Sequence, residues 1–120
     1  MATNQVQSGE VITITAGAAY SAGDVVKVGN ILGVAITDIA NGASGAVAIE
    51  GVFDVPKVSG AVIAAGESLT WDVSVGKFDD NAASPATGDV TGAAAVAFEA
   101  AGNGVTTIAV KFTGVPGTVA

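Results

Sequence analysis

Around position 51 the chain reads EGVFDVPKVSG, which puts a carboxylate, Asp54, three residues from an amine, Lys57, with Pro56 between them. A carboxylate and a lysine this close could share a proton in general acid–base work. The competing reading is architectural. Proline fixes φ and cannot donate to a ladder, so Pro56 ends a strand or lies on an edge. Asp54 and Lys57 then form a solvated ion pair at a strand end, worth about 0–1 kcal/mol. The architectural reading is preferred, because the rest of the chain offers Asp54 and Lys57 no chemical partners. With no histidine and no cysteine, a nucleophilic triad has no base, and zinc or iron sites lose their usual ligands. Asp79-Asp80-Asn81 is the nearest approach to a calcium loop, but no glutamate follows at loop spacing. Gly76-Lys77 is the only Gly-Lys pair. It is followed by Phe78 and preceded by Trp71 where a phosphate-binding loop needs glycine. Paired carboxylates could hydrolyse a glycoside, but such sites also need aromatic platforms, and the chain has one Trp and one Tyr. No catalytic residue, metal ligand or cofactor site is expected.

The elements that carry these residues read as strands. The chain holds 24 Ala, 19 Val, 8 Ile and 17 Gly, but only 2 Leu and 1 Met. β-Branched residues suit a pleated surface, and glycines without a period suit tight turns. Period-two alternation marks Glu10–Thr15, Asp24–Val28, the stretch around Gly33–Asp38, Leu69–Asp72 and Thr107–Phe112. In the last of these Ile108, Val110 and Phe112 point in and Lys111 out. AVAIEGVFDVP reads as the longest strand, with Val47, Ile49, Phe53 and Val55 on one face. Gly51 in the middle of that face suggests a bulge or the close approach of another backbone. GAAAVAFEA could be a short helix by alanine content, but its flanks and the Val96/Phe98 alternation favour a strand. Residues 76–89 are the most loop-like. A glycine followed by an acid opens an apolar stretch at Gly9-Glu10, Gly23-Asp24, Gly66-Glu67 and Gly88-Asp89. The glycine permits positive φ and the acid is expected in water. SAGDVVKV and AAGESLTW look like two versions of one turn-to-strand unit. The fold expected is all-β: a small sandwich or barrel, jelly-roll-like, with an extended N-terminal arm. The arm is assigned to 1–9, a single β domain to 10–113 and a C-terminal tail to 114–120.

The net charge of −7 rests on scattered lysines, without the basic stripe that phosphates require, so neither nucleic acid nor an anionic membrane is an expected partner. No apolar run reaches the roughly 18 residues that span a bilayer. The polar start, MATNQVQSGE, does not read as an export signal. The protein is expected to be soluble and used without export. Trp71 reads first as a core residue and second as a subunit anchor.

The order of these segments carries a resemblance: GDVVKVGNILGVAITDIANG, then EGVFDVPK, then AAGESLTWD, then a Gly/Asp/Thr-rich loop and a final strand. From about Val6 to Phe112 the chain resembles the capsid cement, or decoration, proteins of tailed bacteriophages. Some members of that family carry a label linking them to RecA/RadA-type recombinases, for which this sequence has no phosphate-binding loop. The resemblance implies a non-enzymatic virion protein, made in the host cytoplasm. It would bind the outer surface of the expanded capsid and bridge neighbouring copies of the major capsid protein. It also implies self-association, as a homotrimer before a homodimer. The contact residues expected are Ala2, Thr3, Asn4, Gln5, Val6 and Gln7 in the arm, with Phe53, Pro56 and Trp71 in the domain, since interface anchors tend to be aromatic. The alternative is another β-rich phage module, from a tail or fibre or binding carbohydrate.

Overall fold

The computed structural model describes residues 10–120. Eleven strands occur among them: β1 (Val11–Thr15), β2 (Val25–Val28), β3 (Ile31–Ala35), β4 (Ser44–Ala48), β5 (Glu50–Pro56), β6 (Thr70–Asp72), β7 (Lys77–Asp79), β8 (Val90–Thr91), β9 (Ala95–Ala97), β10 (Thr107–Thr113) and β11 (Thr118–Val119). They form three antiparallel sheets in the orders β1-β4-β3-β2, β5-β10-β9 and β11-β8-β6-β7. The second and third sheets are linked along both flanks, by a Lys57–Phe78 bridge and a Ser68–Val96 bridge. Together they curl into a barrel-like wall. The all-β reading holds, and the alanine-rich segment is strand β9 rather than helix.

The long apolar stretch is two strands, not one. β4 ends at Ala48 in the first sheet, and β5 begins at Glu50 in the second. Gly51 makes the change of direction possible with φ at 130°. The close approach expected there is made by a side chain rather than a backbone: a Cβ at Gly51 would lie 3.1 Å from the Phe53 ring. Apolar patterning could not reveal the break, because both halves bury the same parity.

The main core lies inside the barrel-like wall and against one face of the first sheet. Val55, Leu69, Trp71, Phe78, Ile108, Val110 and Phe112 meet Val25, Leu32 and Val34 there. Phe78 packs against Trp71 in a tilted pair with ring centroids 4.9 Å apart and meets Phe112 edge-on at 5.9 Å. Phe78 comes from the segment read as loop; its three-residue strand is too short for alternation to register. The other face of the first sheet holds a smaller cluster of Val26, Ala35, Ile39, Val47 and Ile49, flanked by half-buried Ile12, Ile14 and Tyr20.

The glycine–acid turns are one device used three times. In Ser21–Asp24, Ala64–Glu67 and Ala86–Asp89 the acid's N–H donates to the carbonyl of the first turn residue, at 3.0, 3.2 and 3.0 Å. The glycines take positive φ of 92°, 82° and 93° at the third position, the type II arrangement. Each glycine N–H donates to an alanine carbonyl, of Ala35, Ala97 or Ala120, at 2.8 Å every time. Each of those alanines returns its N–H to the acid's carbonyl at 2.9 Å. The recurrence noticed between SAGDVVKV and AAGESLTW is therefore physical, and ATGDVTGA is its third copy. A fourth turn, Ala40–Ala43, repeats the backbone pattern around Gly42 and Ala16 with alanine in the acid's place. The backbone motif does not need the carboxylate, so the acid has a separate task. The expectation that it stays in water fails for Asp89, which is 3% exposed. Asp89 is buried because other segments supply it with donors.

The segment set off as a tail contributes β11, which completes the third sheet through Thr118–Thr91 and Val119–Val90 pairing. Gly117 holds this segment to the β2–β3 hairpin: its N–H donates to the Asn30 carbonyl at 2.7 Å.

Candidate interaction surface

The Asp54–Lys57 ion pair does not exist. Asp54 is exposed on β5, whereas Lys57 is fully buried. The Lys57 Nζ donates to four backbone carbonyls, those of Val58 (2.8 Å), Gly102 (3.1 Å), Val105 (3.1 Å) and Ser59 (3.4 Å). The reason is the position of Pro56. It ends β5, and the next residue turns under the 58–61 and 102–105 turns, where its amine adds a donor to the Val58, Ser59 and Gly102 carbonyls, which also accept backbone N–H groups, and supplies one to the Val105 carbonyl. An ammonium is compact and carries three N–H groups, so it ties both turns from inside. Local sequence could not show this, because the partners lie up to 48 residues away. Lys57 is thus structural, and its buried amine has no carboxylate among its hydrogen-bond partners.

The other acids are similarly occupied. Asp79 accepts the N–H of Asp80 at 2.8 Å, and Asp80 that of Ala82 at 3.0 Å, so both carboxylates face their own turn. Asp72 accepts the Ser74 hydroxyl at 2.6 Å and the Ser74 N–H at 3.0 Å. The hydroxyl bond, aided by backbone N–H groups, holds the Asp72 carboxyl below its ordinary value. Among the described residues no three acids stand where they could share a metal ion.

What remains is surface. Pro56 and Trp71 come together on a groove of about 490 Å³ where the first sheet meets the barrel-like wall. Its other walls include Tyr20, Asp24, Val25 and Gly76. Trp71 is only 7% exposed, and its outer edge forms the floor. Phe53 is elsewhere, half-buried and edge-on to Phe112 at 6.0 Å. Ala2, Thr3, Asn4, Gln5, Val6 and Gln7 lie outside the described residues.

A second surface escaped the sequence reading. On the outer face of the second sheet, Val52, Lys111 and Val96 stand side by side across three strands. Phe98 follows in the next row, its N–H bonded to the Ala109 carbonyl, and is 62% exposed. Ala95 and Ala97 are the residues that point inward. The Val96/Phe98 alternation located the strand correctly, but these larger side chains face outward. Alanines fill the interior because Phe112 and Phe78 already occupy it. Exposed Phe98 and Val52, with half-buried Val96, thus form a candidate contact surface on the outer face of this curled sheet.

Comparison with known families places the chain: the family model for the phage cement protein fits residues 6–112. The chain belongs to the phage cement protein family. No curated protein matches it. Membership covers every strand from β1 to β10, and it assigns the chain a structural, capsid-cementing role in the virion. β11 lies beyond the matched residues, although here it is integral to the third sheet.

Proposed function

We propose that this chain binds the outer surface of the expanded phage capsid, bridges neighbouring major capsid subunits and stabilises the shell without catalysing any reaction. The family match over residues 6–112 carries this reading. The structure supports it with outward-facing Val52 and Phe98, both exposed, half-buried Val96 on the same face, and a turn-pinned scaffold behind them. In this reading the protein is made in the host cytoplasm and acts as a homo-oligomer about a local symmetry axis, a trimer rather than a dimer. Pro56 and Trp71 lie at the contact between copies, Phe53 near it, and residues Ala2–Gln7 reach a sister subunit or the shell. Many small contacts repeated over a shell give avidity that no single contact supplies.

The test is sedimentation of purified protein with expanded and unexpanded shells lacking it, counting bound copies. Saturable binding to expanded shells at a fixed ratio to the major capsid protein is expected, and that ratio names the axis occupied. Absence of binding to either shell overturns the reading in favour of a tail, fibre or carbohydrate-binding module. Phe98→Ala is expected to weaken shell binding by about tenfold or more while leaving the melting curve unchanged.

A further inference from the structure

The three repeated turns differ in one respect. Each acid sends one carboxylate oxygen back to the N–H of its own turn: Asp24 to Ser21 at 2.9 Å, Glu67 to Ala64 at 3.1 Å, and Asp89 to Ala86 at 3.0 Å. In two copies the second oxygen takes a backbone N–H from another segment. Glu67 receives Asn81 at 3.0 Å, and Asp89 receives Val73 at 3.1 Å. In the first copy the Asp24 Oδ1 takes no such donor among the described residues. Asp24 lines the groove, beside Tyr20, Pro56 and Trp71. The groove runs along residues 19–24 to Val25, the first residue of β2, which is an edge strand. A groove with an apolar floor, a sheet edge and a carboxylate oxygen set to accept a backbone N–H is suited to an extended chain.

We infer that the groove receives residues 2–8 of a neighbouring copy, with a backbone N–H of that segment on the Asp24 Oδ1 and Val6 on the Trp71–Pro56 floor. This deepens the self-association proposed above and rests on it. The chemistry of the segment fits. ATNQVQS carries no acid, so Asp24 and nearby Asp38, which accepts the Ala22 N–H at 2.8 Å, do not repel it. Its one valine sits among side chains that can remain in water. The reach fits as well. Val11, Ala48, Val34 and Val25 form one row across the first sheet, so β1 starts at the same end of the sheet as the groove. The nine residues before Glu10 span up to about 30 Å when extended, whereas three strand spacings are about 14 Å. That surplus lets the segment leave its own sheet and cross to a copy beside it.

The absence of native cysteine makes the test clean. The double variant Val6→Cys/Ala22→Cys places one thiol on the segment and one on the groove wall. Val6→Cys/Glu99→Cys places the second thiol on an exposed residue outside the groove lining. Under mild oxidation of the purified, concentrated protein, the groove pair is expected to give disulfide-linked oligomers about tenfold more abundantly than the control pair. Equal linkage in both overturns the inference, as does linkage confined within single chains or no linkage. The measurement uses no capsids, so its failure leaves the shell-binding reading standing. Failure of shell binding would likewise not remove a linked oligomer.

Discussion

The Gly88-Asp89 and Gly23-Asp24 turns share a local sequence and a backbone geometry, yet they hold opposite positions in the molecule. Asp89 is buried, and both of its oxygens are taken, by Ala86 and Val73. Asp24 is exposed, with one oxygen returned to its turn and the other open to a groove. The same four-residue turn, with its Gly-Asp pair, therefore serves once as an internal clamp and once as a rim. The difference teaches that the turn is a local product, whereas the role of its carboxylate depends on which segments pack beside it. Lys57 extends the closed case to its limit, an ammonium wholly enclosed by four carbonyls.

The largest effect expected on stability comes from that enclosed site. Lys57→Met keeps the stem but removes the ammonium's charge-assisted bonds to four backbone carbonyls, a class worth about 1.5–3 kcal/mol each, so a loss of at least about 3 kcal/mol is expected in urea unfolding. A loss below about 1 kcal/mol would mean that the two turns close without the lysine. Next is the direct comparison. Asp89→Ala is expected to cost about 2–3 kcal/mol, and Asp24→Ala under about 1 kcal/mol, because water replaces only the exposed carboxylate. Equal costs would erase the distinction between clamp and rim. Smaller still, Gly23→Ala should cost about 1 kcal/mol through its positive φ, and Gly88→Ala slightly more, since its Cβ would also press on Val73 at 3.3 Å. The smallest effect concerns pH. The Asp72 carboxyl is depressed in the folded state by the Ser74 hydroxyl, so its contribution is full above the ordinary carboxylate value and is lost as pH falls through the folded one. Ser74→Ala should therefore lower stability slightly at neutral pH and flatten the acid limb, the difference from the parent closing as pH falls below about 4. A difference that persists unchanged at low pH would assign the Ser74 hydroxyl a role beyond Asp72.

Much of the fold was legible in the chain. Alternation marked β1 and β10, β2 was read as a strand, and the expected inward residues Ile108, Val110 and Phe112 are buried, joined by Ala109. The family resemblance stated on EGVFDVPK and AAGESLTWD agrees with the family match. The break at Ile49 was not legible, nor was the core role of Phe78, because short strands that change sheets leave no period. The outward turn of Phe98 was hidden for another reason. Hydrophobicity says that a side chain gains from burial, but it does not say that the interior is already full.

By itself, the sequence determined the β class, the positive-φ turns at Gly23, Gly66 and Gly88 and the want of any histidine or cysteine. These follow from properties each residue carries alone: β-branching, the missing Cβ of glycine and side-chain chemistry. Only the tertiary structure decided that Lys57 lies inside while Asp54 lies outside, and that Pro56 and Trp71 share a groove. It also decided that one of three like carboxylates keeps an oxygen free. Those outcomes depend on carbonyls and N–H groups brought together from distant parts of the chain. A buried polar group has to be satisfied by whatever the fold places beside it.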